Sequence, residues 1–285
     1  MLNLYHFLAS IFFVVSAGLC AQPSKLPLTN VSYKSILELP YEDADLTLAY
    51  GNDKYQYGKL WRPLNTSDNE ASPLVIFVHG GCWLNAYGID HSFALTSALA
   101  KQGYLVWSLE YRRAGDEGGN WPGAFLDVQA GIDFILNQTQ EPFDPQQVFV
   151  VGHSAGGHLA TLAADKRNGS IHAIGLAAIT DVAKYGAGEN SCQQAVPKFM
   201  GGSFAQMPAA YDLATAKSFT HSVLLHGSAD SIVPLSQSIQ PTGRSVIIPD
   251  AGHFDFLHPQ STAFDTLVTT LNAQSSQLET QKYDR

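Results

Sequence analysis

Charge is scarce in this chain of 285 residues. Only 14% of its side chains are charged, acidic residues outnumber basic ones, and the formal net charge is −9. No run of Lys or Arg appears, which excludes the clustered cationic surface that binding to a phosphate backbone needs. Nucleic acid is therefore not an expected partner. The histidines show no H-E-x-x-H or comparable ligand spacing, so no metal is assigned and no cofactor is called for. Neither an internal repeat nor a low-complexity linker divides the sequence. Cysteine is rare, with three in all.

A hydrophobic run of the ~20 residues that a membrane span requires is missing too. What the N-terminus has is shorter. In "MLNLYHFLASIFFVVSAGLCAQ" an apolar stretch from Phe7 to Val15 gives way to small residues, the shape of a secretory signal peptide over residues 1–21. No positive side chain precedes Phe7, and Ala17-Gly18-Leu19 is a poor match to a lipoprotein signal ending at Cys20. An exported protein, periplasmic or secreted, is expected, with no stable membrane span after cleavage. Cys82 and Cys192 then remain in an oxidising compartment, either as a disulfide or as two separate thiols.

The hydrophobic fraction of 45% is that of a globular protein. Residues "LTLAYGNDKYQYGKLWRP" suggest a hairpin turning at Gly51-Asn52-Asp53. Apolar runs then alternate with helical patterns: "PLVIFVHGG", a helix from about Ser92 to Gln102, "YLVWSLEYR", a helix from about Ala124 to Gln138, "VFVVGHSAGG" and its helix. The alternation resumes with "HAIGLAAITD", "SVLLHGSAD", "SVIIPDAGH" and a last helix near Thr262 to Leu271. Strands without polar alternation, separated by helices, indicate a mainly parallel sheet covered on both faces. One α/β domain over 22–285 is expected, with 181–219 as a cap insertion.

The stretch Gly152-His153-Ser154-Ala155-Gly156 places a serine at a strand-to-helix corner. Such a G-x-S-x-G turn projects the hydroxyl above the sheet and beside a helix N-terminus. A hydroxyl needs a base, and the base needs an orienting acid. Asp230 and His253 each follow a later apolar strand, and the order Ser154, Asp230, His253 is that of serine hydrolases on such a sheet. Asp181 is the competing carboxylate. For a developing oxyanion, the loop after "VIFVHGG" offers the N–H groups of Gly81 and Cys82, with Ala155 contributing from the helix side. Gly80 and Trp83 are candidate substrate contacts, as are Trp107 and Trp121, with core packing the alternative. Tyr111-Arg112-Arg113 either binds a substrate carboxylate or anchors a loop through ion pairs.

Together "HGGCW", "EYRRAGDEGGNWPGAFLDV", "GHSAGGHLA", "HGSAD" and "DAGHFDF" resemble the α/β-hydrolase superfamily. The resemblance is to its branch of carboxylesterases and kynurenine-formamidase-like enzymes with an H-G-G-x-W motif, and it covers about Leu74 to Leu271. It implies Ser154 as nucleophile, Asp230 as acid, His253 as base, and Gly81, Cys82 and Ala155 as oxyanion donors. The implied activity is cleavage of small carboxylic esters, short acyl esters first. An arylformamidase or amidase is the alternative enzyme, and a non-catalytic binding module on the same fold is the alternative of another class.

Overall fold

The computed structural model describes residues 28–64, 71–138 and 140–283. The expected signal peptide over 1–21 lies outside them. Eight strands form one sheet: β1 (Leu46–Ala49), β2 (Tyr57–Trp61), β3 (Ser72–Val78), β4 (Leu105–Leu109), β5 (Phe143–His153), β6 (His172–Leu176), β7 (Ser222–Gly227) and β8 (Arg244–Ile248). Their order is β1-β2-β4-β3-β5-β6-β7-β8. β1 and β2 make the expected hairpin, β2 pairs antiparallel with β4, and every pairing from β4 to β8 is parallel.

Side chains alternate across a strand, so an uninterrupted apolar run needs cover on both faces. Leu74, Ile76 and Val78 of β3 and Val148 and Val150 of β5 pack on one side with α3 (Gly123–Leu136) and α4 (Ala155–Lys166). Val75, Phe77, Phe149 and Val151 pack on the other with α2 (Phe93–Lys101) and α9 (Thr262–Tyr283). Each such fully buried side chain contributes roughly 1.5–3 kcal/mol of transfer free energy. The parallel order carries the C-terminal ends of β3, β5 and β7 to one edge of the sheet.

Residues 181–219 lie between β6 and β7. They hold four short helices, α5 (Val182–Tyr185), α6 (Ser191–Gln194), α7 (Val196–Met200) and α8 (Pro208–Leu213). Asn190 and Gln193 form a capping box on α6, and proline occupies an opening position in α7 and α8, where its missing N–H costs nothing. Val196, Phe199, Met200 and Tyr211 dock these helices into the core. The one-turn α1 (Tyr33–Leu37) was not expected, and α9 runs beyond the expected end near Leu271.

Candidate active site

Ser154 stands between the end of β5 and the first residue of α4, at φ 56° and ψ −118°. A non-glycine residue in that region is strained and persists only where its surroundings hold it. They do: its N–H donates to the Leu176 carbonyl at 2.9 Å, and its carbonyl accepts from His158 N–H at 3.1 Å. The glycine at 156 is obligatory, because a Cβ there would sit 2.1 Å from the Val78 carbonyl oxygen. Tight apposition of the corner to β3 thus requires the G-x-S-x-G spacing.

Asp230 lies in the loop after β7. Its Oδ1 accepts the backbone N–H groups of Ile232 and Val233, at 2.8 and 2.9 Å, and its Oδ2 lies 2.7 Å from His253 Nδ1. Burial pushes this carboxyl up, but the His253 contact and the two N–H groups outweigh it and leave Asp230 below its ordinary range. With Nδ1 engaged, Nε2 is the His253 nitrogen left to serve Ser154. Among the described residues no hydrogen bond joins the two, a looseness common in such pairs at rest. Asp181, the competing carboxylate, instead caps α5 by accepting from Lys184 N–H at 2.9 Å.

Both Ser154 and His253 line a cavity of about 170 Å³. Gly81 and Cys82 line it from the loop after β3, and Ser191, Cys192 and Ile232 rim it from the cap and acid-loop sides. Among the described residues the backbone N–H groups of Gly81, Cys82 and Ala155 make no hydrogen bond to protein. Cys82 and Cys192 are joined in a disulfide across this rim, with Cα atoms 5.1 Å apart.

Two expected substrate contacts do not reach the cavity. The Trp83 indole is fully buried, stacked on Phe199 with centroids 4.8 Å apart, and its Nε1 donates to His158 Nδ1 at 3.2 Å. It locks the loop to the cap instead. Gly80 is a close-approach position: a Cβ there would come within 3.0 Å of His153 Nδ1 and 3.2 Å of Ser154 Cβ. Trp107 donates to the Gly131 carbonyl within the core, and Trp121 packs on Phe125. Arg112 pairs bidentately with Asp127, and Arg113 pairs with Glu110 and Asp116, so these arginines anchor loops.

The sequence reading missed an aromatic wall of Tyr33, Tyr87, His91 and Phe254 on the same cavity. Tyr33 packs edge-on to Tyr87 and within 5.4 Å of Phe254. His91 and His153 also line the cavity. Burial, reinforced by His79, drives His91 down to about 3. His153, buried against His253, is held well below the ordinary histidine range, and its Nε2 lies 2.9 Å from the His253 carbonyl. A histidine directly before the nucleophile-type serine was the available signal.

The BD-FAE family model matches residues 60–242, more than half of the chain. The chain belongs to the BD-FAE family. That match includes Ser154 and Asp230 and ends before His253, which the fold brings to Asp230. Esterase LipC of Mycobacterium tuberculosis is 36% identical over 115 residues, 40% of this chain and 28% of that one. Esterase LipQ of the same organism is 26% identical over 213 residues, 68% of this chain and 49% of that one. This BD-FAE member thus spans half or less of the length of these curated relatives. Esterase B from Lactobacillus Rhamnosis superposes with a TM-score of 0.70 at 21% identity, covering 89% of this chain and 93% of the other, which shows a shared α/β-hydrolase fold. Among the described residues no helix is long and apolar enough to cross a membrane, and no group of three or more His, Cys, Asp or Glu could hold a metal ion.

Proposed function

We propose that this protein is an exported serine hydrolase that cleaves short-acyl carboxylic esters through an acyl-enzyme. One observation carries the reading: the Asp230-oriented His253 and the strained Ser154 open on one cavity, beside unpaired main-chain donors. His253 Nε2 removes the Ser154 proton as Oγ attacks the ester carbonyl, and the N–H groups of Gly81, Cys82 and Ala155 hold the oxyanion. Collapse of the tetrahedral intermediate breaks the C–O bond to the alcohol, which takes the proton from His253. Water, deprotonated by His253, then attacks the acyl-enzyme and returns Ser154 with a carboxylic acid.

The similarity to LipC and LipQ, both named esterases, supports ester rather than amide chemistry. The cavity of about 170 Å³ supports a short acyl group, being smaller than the ~300–1,000 Å³ typical of sites for larger ligands. Export is supported by the Cys82 to Cys192 disulfide, a linkage that persists in oxidising compartments.

A fluorophosphonate probe is expected to label the protein at neutral pH and to fail on Ser154→Ala; an unlabelled wild-type protein would point to a binding module. Acetyl and octanoyl esters assayed beside N-formylkynurenine should show the acetyl ester hydrolysed fastest. A preference for the formamide would replace the esterase reading with the arylformamidase one.

A further inference from the structure

The loop Gly81-Cys82-Trp83 has φ values of 107°, 56° and 56°, three consecutive residues in the left-handed region. Two of them carry side chains, so the loop keeps this shape only if its surroundings impose it. The histidine two residues before this run is tied down on both sides. His79 is fully buried, its Nδ1 lies 2.8 Å from the Gly80 carbonyl oxygen, and its Nε2 lies 3.0 Å from Glu110 Oε1. The two ring nitrogens thus each face an acceptor, a carbonyl oxygen on one side and a carboxylate on the other. Tyr111 stacks on the ring at 4.5 Å and donates its hydroxyl to the His79 carbonyl at 2.9 Å.

Glu110 is buried as well and fully engaged. Besides His79 it meets Arg113 at 3.1 Å, the Tyr111 N–H at 2.9 Å and the Ile89 N–H at 3.0 Å. A carboxylate with that many donors has one position available to it. Its grip therefore fixes the rotation of the His79 ring.

The Gly80 carbonyl and the Gly81 N–H belong to one planar trans peptide and point in opposite directions. Holding the carbonyl from one side therefore aims the N–H from the other, toward the cavity that Gly81 lines. A hydrogen bond accepted at that carbonyl also polarises the peptide and strengthens its N–H as a donor. We propose that Glu110 and His79 are positioning residues that aim and polarise the Gly81 N–H as an oxyanion donor. This rests on the esterase reading of the site, and neither side chain touches substrate.

Three variants test it, each compared with Ser154→Ala on a short acyl ester. His79→Asn keeps a side-chain N–H near the Nδ1 position, His79→Leu keeps none, and Glu110→Gln removes the charge that holds the ring. Loss of one oxyanion donor lowers turnover by ~10²–10³, and a misdirected donor should cost about 10- to 100-fold. His79→Leu and Glu110→Gln are expected to lose that much kcat with KM within about threefold, and His79→Asn to retain most of it. A trifluoromethyl ketone, whose hemiketal oxygen occupies the same hole, should lose affinity in parallel with kcat. A purely structural role predicts instead a lowered melting temperature, with surviving molecules fully active and inhibitor affinity unchanged.

His79→Leu folding with a wild-type melting temperature and turning over within about threefold of wild type would overturn the proposal, while wild-type activity abolished by Ser154→Ala would leave the esterase reading standing. A wild-type protein that hydrolyses no ester overturns both. If Glu110→Gln fails to fold, the ranking of the two His79 variants decides.

Discussion

Asp255 accepts the backbone N–H groups of Asn30 and Val31, each at 2.7 Å, and that of Gly252 at 3.0 Å. One buried carboxylate thus ties the segment that delivers Tyr33 to the loop that delivers His253. Asp255→Ala would leave three donors without their partner, at a cost of about 1–3 kcal/mol for each one kept from water. The expected outcome is a melting temperature lower by several degrees and a raised KM from loss of the Tyr33 wall. Thermal unfolding and steady-state kinetics on the same preparation check both, and an unchanged KM would detach Tyr33 from substrate binding.

Ser154→Ala and His253→Ala are each expected to remove nearly all ester turnover, and the double variant to lose little more, because the residues act as a unit. Asp230→Asn should also be severe, through the wrong His253 tautomer. Asp181→Asn should cost only part of a helix cap, about 1 kcal/mol of stability or less, with kcat intact. Active-site-normalised kinetics that reversed the two aspartates would exchange their assignments.

Reduction should weaken the protein strongly. The disulfide joins residues 110 apart, and chain entropy alone assigns such a loop about 4–5 kcal/mol. Cys82→Ser with Cys192→Ser, or treatment with a dithiol reductant, should lower the denaturation midpoint and leave the stack of Trp83 on Phe199 to hold the cap to the loop after β3. Thiol titration of the unfolded, unreduced protein beginning at residue 22 should find no free thiol. Two per chain would refute the bridge.

Acid should destabilise the fold well before its carboxylates protonate. His91 is held at about 3, His158 at about 4, and His153 well below normal, each chiefly by burial. The unfolded chain binds protons at these sites below about pH 6.5 while the folded chain does not. Their stabilisation is therefore complete above that pH and falls by roughly 1.4 kcal/mol per unit for each histidine as pH drops toward 4. Asp230, depressed in the folded state, adds a further loss only below the ordinary aspartate range. Denaturant titrations at pH 7 and 5 should show the decline, with these three histidines each taking up a proton on unfolding at pH 5 and His172 and His226, also lowered by burial, adding to the uptake. Equal stability at both would contradict the buried neutral histidines.

The sheet was legible because parallel strands bury both faces and so print continuous apolar runs, as in Val148 to Val151. The placement of Asp230 was legible for a related reason, a polar turn directly after such a run. Trp83 takes the core-packing alternative, which the motif could not decide because it marks a loop without giving its side-chain direction. Positive φ at Cys82 and Trp83 turns the indole inward, onto Phe199 and His158. Tyr33 gave no local sign at all, since its place depends on Asp255 capturing a backbone more than 220 residues away in sequence. Buried His91 and His153 were likewise set by tertiary neighbours that periodicity does not encode.

The stack of Trp83 on Phe199 gives the molecule an internal optical reporter. The indole belongs to the loop that lines the cavity, its stacking partner belongs to the cap, and the ring is fully buried. Any separation of cap from loop must unstack and hydrate that ring, so the opening of the site is written into the colour and quenching of its fluorescence, without an added dye.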